Sequence, residues 1–170
     1  LTYKVVAYQE VPNFSADEWV DWALEMLELG YDTPSLMLLA SQSKPTNYFQ
    51  TIQYFNETAK ELNLQLKRGD AATISYCSYF IKKIATGISI RENLAAVYRF
   101  CQAKGYEGLV FNFYLLYWAW DDLDNGYEMQ CYWSAADKTN IEAIVVETSQ
   151  KWLVTHQEHY TQHHIAKTQA

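Results

Sequence analysis

Residues 15–40 constrain the fold of this chain more than any other stretch, because two helices and the corner between them can be read there residue by residue. Ser15 followed three positions later by Glu18 has the form of a capping box, in which each side chain satisfies an orphan amide, so a helix should begin at Ala16. From there Trp19, Trp22, Ala23, Met26 and Leu27 recur at the spacing that gathers side chains on one helical face, while Asp17, Asp21, Glu25 and Glu28 gather on the other. Gly30 suits the left-handed conformation that ends a helix, and Asp32 or Thr33 ahead of Pro34 supplies an N-cap with proline at the first helical position. A second helix then runs through Leu36, Leu38, Leu39 and Ala40.

The same grammar continues along the chain. Thr46 or Asn47 caps a third helix with Tyr48, Ile52, Phe55, Ala59 and Leu62 facing the core, and residues 63–69 close it. Asp70 caps a fourth, presenting Ile74, Cys77, Ile81 and Ile84, with Lys82 and Lys83 complementing the dipole at its C-terminus. Ser89 with Glu92 forms a second capping box, and Ile90, Leu94, Val97, Tyr98 and Cys101 follow on one side until Gly105. Residues 109–123 leave almost no polar face, so this helix is either enclosed by its neighbours or covers a partner. A last helix over 139–155 carries Ile141, Ile144, Val145, Thr148 and Trp152. Gly30-Tyr31-Asp32, Gly105-Tyr106-Glu107 and Gly126-Tyr127-Glu128 each place a tyrosine and an acid after a helix-stopping glycine, where the tyrosine packs back on the last turn. The pattern predicts a single all-α domain over residues 1–170, of about six or seven helices in successive antiparallel hairpins. Residues 1–14, with a β-like run at 3–8, form an extended lead-in, and 156–170 a polar tail.

A chain of 170 residues can bury a core without metal or disulfide staples. The net charge of −7 argues against phosphate backbones and anionic membranes and for basic proteins as partners. Aromatic residues make up 16 %, with 14 Tyr and 6 Trp, more amphipathic surface than one core needs, so some of it is exposed. Three cysteines, Cys77, Cys101 and Cys131, are odd in number and fit small buried hydrophobes in a reducing compartment, the cytoplasm. No apolar run reaches the roughly 20 residues that span a bilayer. The chain starts at Leu1 and not at Met, so a trimmed N-terminus, a removed signal peptide included, stays open.

Chemistry-bearing clusters are few. Asp121, Asp122 and Asp124 lie before Asn125 and Gly126, but a calcium loop counted from Asp121 would need oxygen ligands where Leu123 and Tyr132 stand. His156, His159 and His163 would share a helical face, yet Gln157 occupies the place where a zinc protease carries glutamate. Cys77 and Cys101 fall on core stripes, and no phosphate loop or nucleophile elbow occurs. No cofactor and no catalysis are expected. What remains are surfaces: the stripe Asp17, Asp21, Glu25 and Glu28, with Asp121, Asp122 and Asp124 as a second negative patch.

Residues 22–40, WALEMLELGYDTPSLMLLA, resemble the opening hairpin of small all-helical bacterial proteins, some of which resemble immunity proteins encoded beside polymorphic toxins. Residues 139–145, TNIEAIV, are similar to their C-terminal helix. The resemblance implies an antitoxin-like protein that binds and neutralises a basic effector. The alternative is an adaptor that pairs through the apolar helix 109–120, as a homodimer. Exchanging the four stripe residues for Lys is expected to leave the fold intact, since they occupy the polar face, and to weaken a cationic partner by several kcal/mol in titrations.

Overall fold

The computed structural model of the chain describes residues 1–127 and 129–160, the last two as backbone alone. Every regular element among them is helical: α1 (Thr2–Val5), α2 (Asp17–Glu28), α3 (Pro34–Ala40), α4 (Tyr48–Glu61), α5 (Gly69–Ala85), α6 (Ile90–Ala103), α7 (Phe111–Asp124), α8 (Ile141–Thr155) and α9 (Gln157–Tyr160), with 3-10 turns at Tyr8–Glu10 and Gly108–Val110. Seven of these, α2 to α8, run seven residues or more, which is the all-α fold that the periodicity predicts. The helices are organised into two compact units, one carrying residues 1–75 and the other Tyr76–His159, so that α5 lends its first turns to one and the remainder to the other.

Helix ends set the connections. At Gly30, with φ of +85°, the Tyr31 amide donates to the Met26 carbonyl at 3.1 Å and the Gly30 amide to that of Leu27 at 2.9 Å. This is the Schellman pair that satisfies orphan carbonyls. The same two bonds close helices at Asn63, Gly87, Gly105 and Gly126, each with positive φ. The three glycine–tyrosine repeats are therefore helix stops, though Tyr106 and Tyr127 stay more than half exposed.

In the first unit α2 buries Trp19, Val20, Trp22, Ala23 and Met26. Trp19 stacks on Phe55 of α4 with centroids 4.9 Å apart and planes at 14°, while Tyr8 and Trp22 approach Phe55 edge-on at 5.3 and 5.7 Å. Such tilted and offset pairs add to the area that they bury. The core stripe of α4 is rotated from the expected one: Tyr48 is exposed, and Thr51 and Thr58 are fully buried. Their hydroxyls donate to the carbonyls of Asn47 and Tyr54 at 2.8 Å, so neither hydroxyl is stranded. Asn47 caps α4, its Oδ1 accepting from the amides of Phe49 and Gln50.

The extended lead-in expected over 1–14 is instead helical, α1 followed by a 3-10 turn. Val5, Val6, Ala7 and Tyr8 are all buried, and four consecutive apolar residues give no period by which to tell strand from helix. The segment is pinned by hydrogen bonds from the Trp22 indole to Thr2 Oγ1 (3.0 Å), from Ser75 Oγ to the Tyr3 carbonyl (2.9 Å) and from the Lys67 amide to the Val6 carbonyl (2.8 Å). It also undoes the first capping box. Ser15 Oγ accepts from the Asp17 amide at 3.3 Å, but Glu18 turns to Lys4 at 2.5 Å instead of reaching back, and α2 starts at Asp17. The second box fails too: Ser89 is left-handed with no side-chain cap, and Asn93 donates to the carbonyls of Ile88 and Ser89.

The core of the second unit follows the expected stripes in part: Tyr98, Ile144 and Thr148, expected on them, are only half-buried, and Phe100 and Ser149 are buried in addition. Cys77, Ile81 and Ile84 of α5, Leu94, Val97 and Cys101 of α6, and Ile141, Val145 and Trp152 of α8 are all buried. From α7 only Phe113, Leu116, Ala119 and Leu123 are buried, a stripe at a spacing of three to four. The helix 109–120 is thus neither fully enclosed nor free to pair over its whole surface, because its most apolar stripe is spent inside its own unit. Between α7 and α8, Gln130 holds its loop by accepting from the amides of Tyr132 and Trp133, both at 2.8 Å, and Asp137 caps the turn into α8 through Thr139 and Asn140.

Trp22→Ala should cost about 3–5 kcal/mol in urea unfolding, since a wholly buried ring is replaced by a cavity. Phe49→Ala, which removes a ring that is 79 % exposed, should change stability by no more than about 0.5 kcal/mol.

Candidate functional site

The acidic stripe lies on the outer face of α2, but half of it is engaged in holding the fold. Asp17 Oδ1 accepts from the amide and the hydroxyl of Thr46, each at 2.9 Å, and Asp21 pairs with Lys44. The two residues tie the start of α2 to the connection ahead of α4. Glu25 lies 3.2 Å from the Leu1 nitrogen, and Glu28 is exposed. Leu24, 46 % exposed, stands among these acids. The expectation that all four positions accept Lys at no cost to the fold therefore fails at Asp17, where a cation would face a donated amide and lose both bonds.

The second negative patch sits at the end of α7, and there aromatic residues come with it. Along the α6–α7 surface Phe111, Tyr114, Tyr98 and Tyr117 form a ladder of near-parallel rings, with successive centroids 5.4, 5.4 and 4.0 Å apart at 11°, 22° and 14°. Tyr106 meets Tyr114 edge-on at 5.2 Å, and Trp118 meets Tyr98 and Tyr117 the same way at 5.8 Å. Burial chiefly, and then the neighbouring Tyr114 and Tyr117, push the Tyr98 phenol above its ordinary range. Arg91 closes one end, its guanidinium 4.7 Å from the Tyr117 centroid and 5.2 Å from that of Trp120. It is bonded to Asp121 at 3.1 Å and paired with Asp124 at 3.6 Å. Of the three aspartates at this end only Asp122 has no cationic partner among the described residues. The sequence offers the surplus of aromatics and the acids but no sign that Tyr98, on another helix, completes the ladder. The i, i+4 spacing of Tyr117 with Asp121 and of Trp120 with Asp124 is the one signal that could have placed Arg91.

Other candidates resolve into structure. Cys77 and Cys101 are buried, and burial raises both thiols, Cys77 well above its ordinary value and Cys101 to about 11, so neither supplies a thiolate at neutral pH. Cys131 is exposed. His156 stacks on Trp152 at 4.3 Å, and its Nδ1 lies 2.8 Å from the Trp152 carbonyl, in an open groove of about 510 Å³ shared with Trp133, Lys151 and Asn112. The side chains of His159, His163 and His164 lie outside the described residues, among which no three His, Cys, Asp or Glu are placed to hold a metal and no helix is long and apolar enough to cross a membrane. Compared with models of known families, with characterised proteins and with solved structures, the chain matches none.

Hydrogen bonds from the Thr46 amide and hydroxyl, together with Lys44, outweigh burial and hold the Asp17 carboxyl below its ordinary value of 3.8. Asp17 therefore contributes stability above the unfolded-chain value, and that contribution is lost as pH falls through the lower folded value. Asp17→Asn should be less stable than the parent at neutral pH, with the gap in urea midpoint narrowing below about pH 4.

Proposed function

We propose that the chain is a non-enzymatic protein-binding domain that docks its partner on the aromatic face of α6 and α7, and that it serves as an immunity protein neutralising a toxin effector with a basic surface. The ladder of Phe111, Tyr114, Tyr98 and Tyr117 is the observation that carries this reading. Tyrosine, tryptophan and arginine dominate the energetic centres of protein interfaces. Rings already stacked on one another lose little rotamer freedom when a partner covers them. The aspartates at the end of α7 and the net charge of −7 give the face its choice of partner, a cationic one.

The reading is tested by co-expressing the chain with proteins encoded beside it in its source genome. One of them should arrest growth alone and be relieved by this chain, and no such pair should exist if the reading is wrong. Against that protein, Tyr114→Ala should weaken binding by about 2 kcal/mol in calorimetric titration without moving the urea midpoint by a comparable amount. Association should slow as salt is raised.

A further inference from the structure

Trp19 of α2 is wholly buried, and three of the rings packed on it also line an open cavity. Tyr8, Phe14 and Tyr48 have centroids 5.0, 5.4 and 5.5 Å from that of Trp19. The cavity that they line measures about 510 Å³, the size of a small-molecule site, and Ile52 adds aliphatic surface to it. Phe14 is half-buried and Tyr48 is 42 % exposed, so aromatic surface is open to a ligand there. Every lining residue belongs to the first unit, and the cavity shares none with the docking face of α6 and α7.

The polar groups of this cavity are one-sided. Arg68 brings a guanidinium, and no carboxylate lines the space with it. Acids are in excess in a chain of net charge −7, yet no acidic side chain among the described residues pairs with Arg68. Arg91, by contrast, is met by both Asp121 and Asp124. The Tyr8 hydroxyl is a second donor. It accepts from Gln9 Nε2 at 2.9 Å and gives its own hydrogen to no partner among the described residues, on a side chain only 6 % exposed.

We infer that this cavity binds a small aromatic carboxylic acid, its ring against Tyr8, Phe14 and Tyr48 and its carboxylate bonded by Arg68 and the Tyr8 hydroxyl. Three rings favour an aromatic body, which meets them through offset and edge contacts. A single planar guanidinium offers the paired donors that match one carboxylate. A phosphate would bring further negative charge with no second cation in the cavity, into the field of a chain that is already anionic. The inference goes beyond the protein-binding reading and stands or falls without it.

The probes are 2-naphthoate and its uncharged counterpart naphthalene-2-carboxamide, titrated into the full chain by calorimetry while the Trp19 indole N–H is followed in proton–nitrogen correlation spectra. That N–H has no acceptor among the described residues, and its ring touches three that line the cavity, so its signal reports occupancy there. 2-Naphthoate should bind saturably, shift the signal and bind about tenfold more tightly than the amide, which forms no charge-assisted pair. Arg68→Gln, at an exposed position, should abolish that preference, leave the amide's affinity unchanged and keep the urea midpoint of the parent. Tyr8→Phe, which keeps the ring, should weaken the acid several-fold, and Tyr48→Leu should weaken acid and amide alike. Lys138→Gln removes the same unit of charge from an exposed position in the second unit and should leave binding unchanged. The inference is overturned by a lack of saturable binding, by an unmoved Trp19 signal or by equal affinity for the two probes. It is overturned as well if Arg68→Gln, Tyr8→Phe or Tyr48→Leu binds the acid as the parent does, or if Lys138→Gln loses as much as Arg68→Gln.

Discussion

Five of the helices stop by the same pair of backbone bonds, and where each stops decides which faces can meet. A left-handed residue turns the chain out of the helix while its two amides take up the carbonyls that the helix leaves open. At Gly30 this swings Tyr31 back toward the core and sets the short corner into α3, so that Leu36 and Leu39 close over the tryptophans of α2. At Gly105 it sends Tyr106 outward to the foot of the tyrosine ladder. One local constraint therefore serves both burial in the first unit and display in the second.

The second unit shows how aromatic residues can be exposed and still ordered. Phe111, Tyr114, Tyr98 and Tyr117 cover one another's rings, and Arg91 covers the end while its own charge is met by Asp121 and Asp124. Each group is partly desolvated by its neighbours: Phe111 is 37 % exposed and the three tyrosines are half-buried. The aspartates that gave it a sign in the sequence prove to be individually distinct: two belong to the arginine, and one does not.

Much of this was legible in advance and some was not, for reasons that can be named. The all-α class, the stripes of α2, α5 and α8 and every glycine stop follow from period and backbone chirality, which are local. The N-terminal segment was misread because Val5, Val6, Ala7 and Tyr8 are buried on all sides and so carry no period. Thr51 and Thr58 were passed over because their hydroxyls find carbonyls within their own helix, which makes them acceptable core residues despite their polarity. Both capping boxes were expected from spacing alone, and spacing does not know that Lys4 stands ready to take Glu18. For the site, the acids were legible and their roles were not: that Asp17 is tied to Thr46, or that Arg91 reaches α7, depends on contacts between residues far apart in sequence.

The helix stops have a consequence in terms of handedness. At Gly30 and Gly105 nothing beyond the glycine's own neighbours lies within 4 Å of where a Cβ would be built, so glycine is favoured there by the sign of φ and not by lack of space. An L-residue is wrong at these positions only because of its chirality. A D-alanine, placed by chemical synthesis or ligation, would find its own preferred backbone region there. It would also restrict the unfolded chain, as any side chain does relative to glycine. Four of the five helix stops are in that sense already mirror-image sites held by glycine, the one genetically encoded residue without a hand, and at the fifth Asn63 takes the left-handed region as an L-residue.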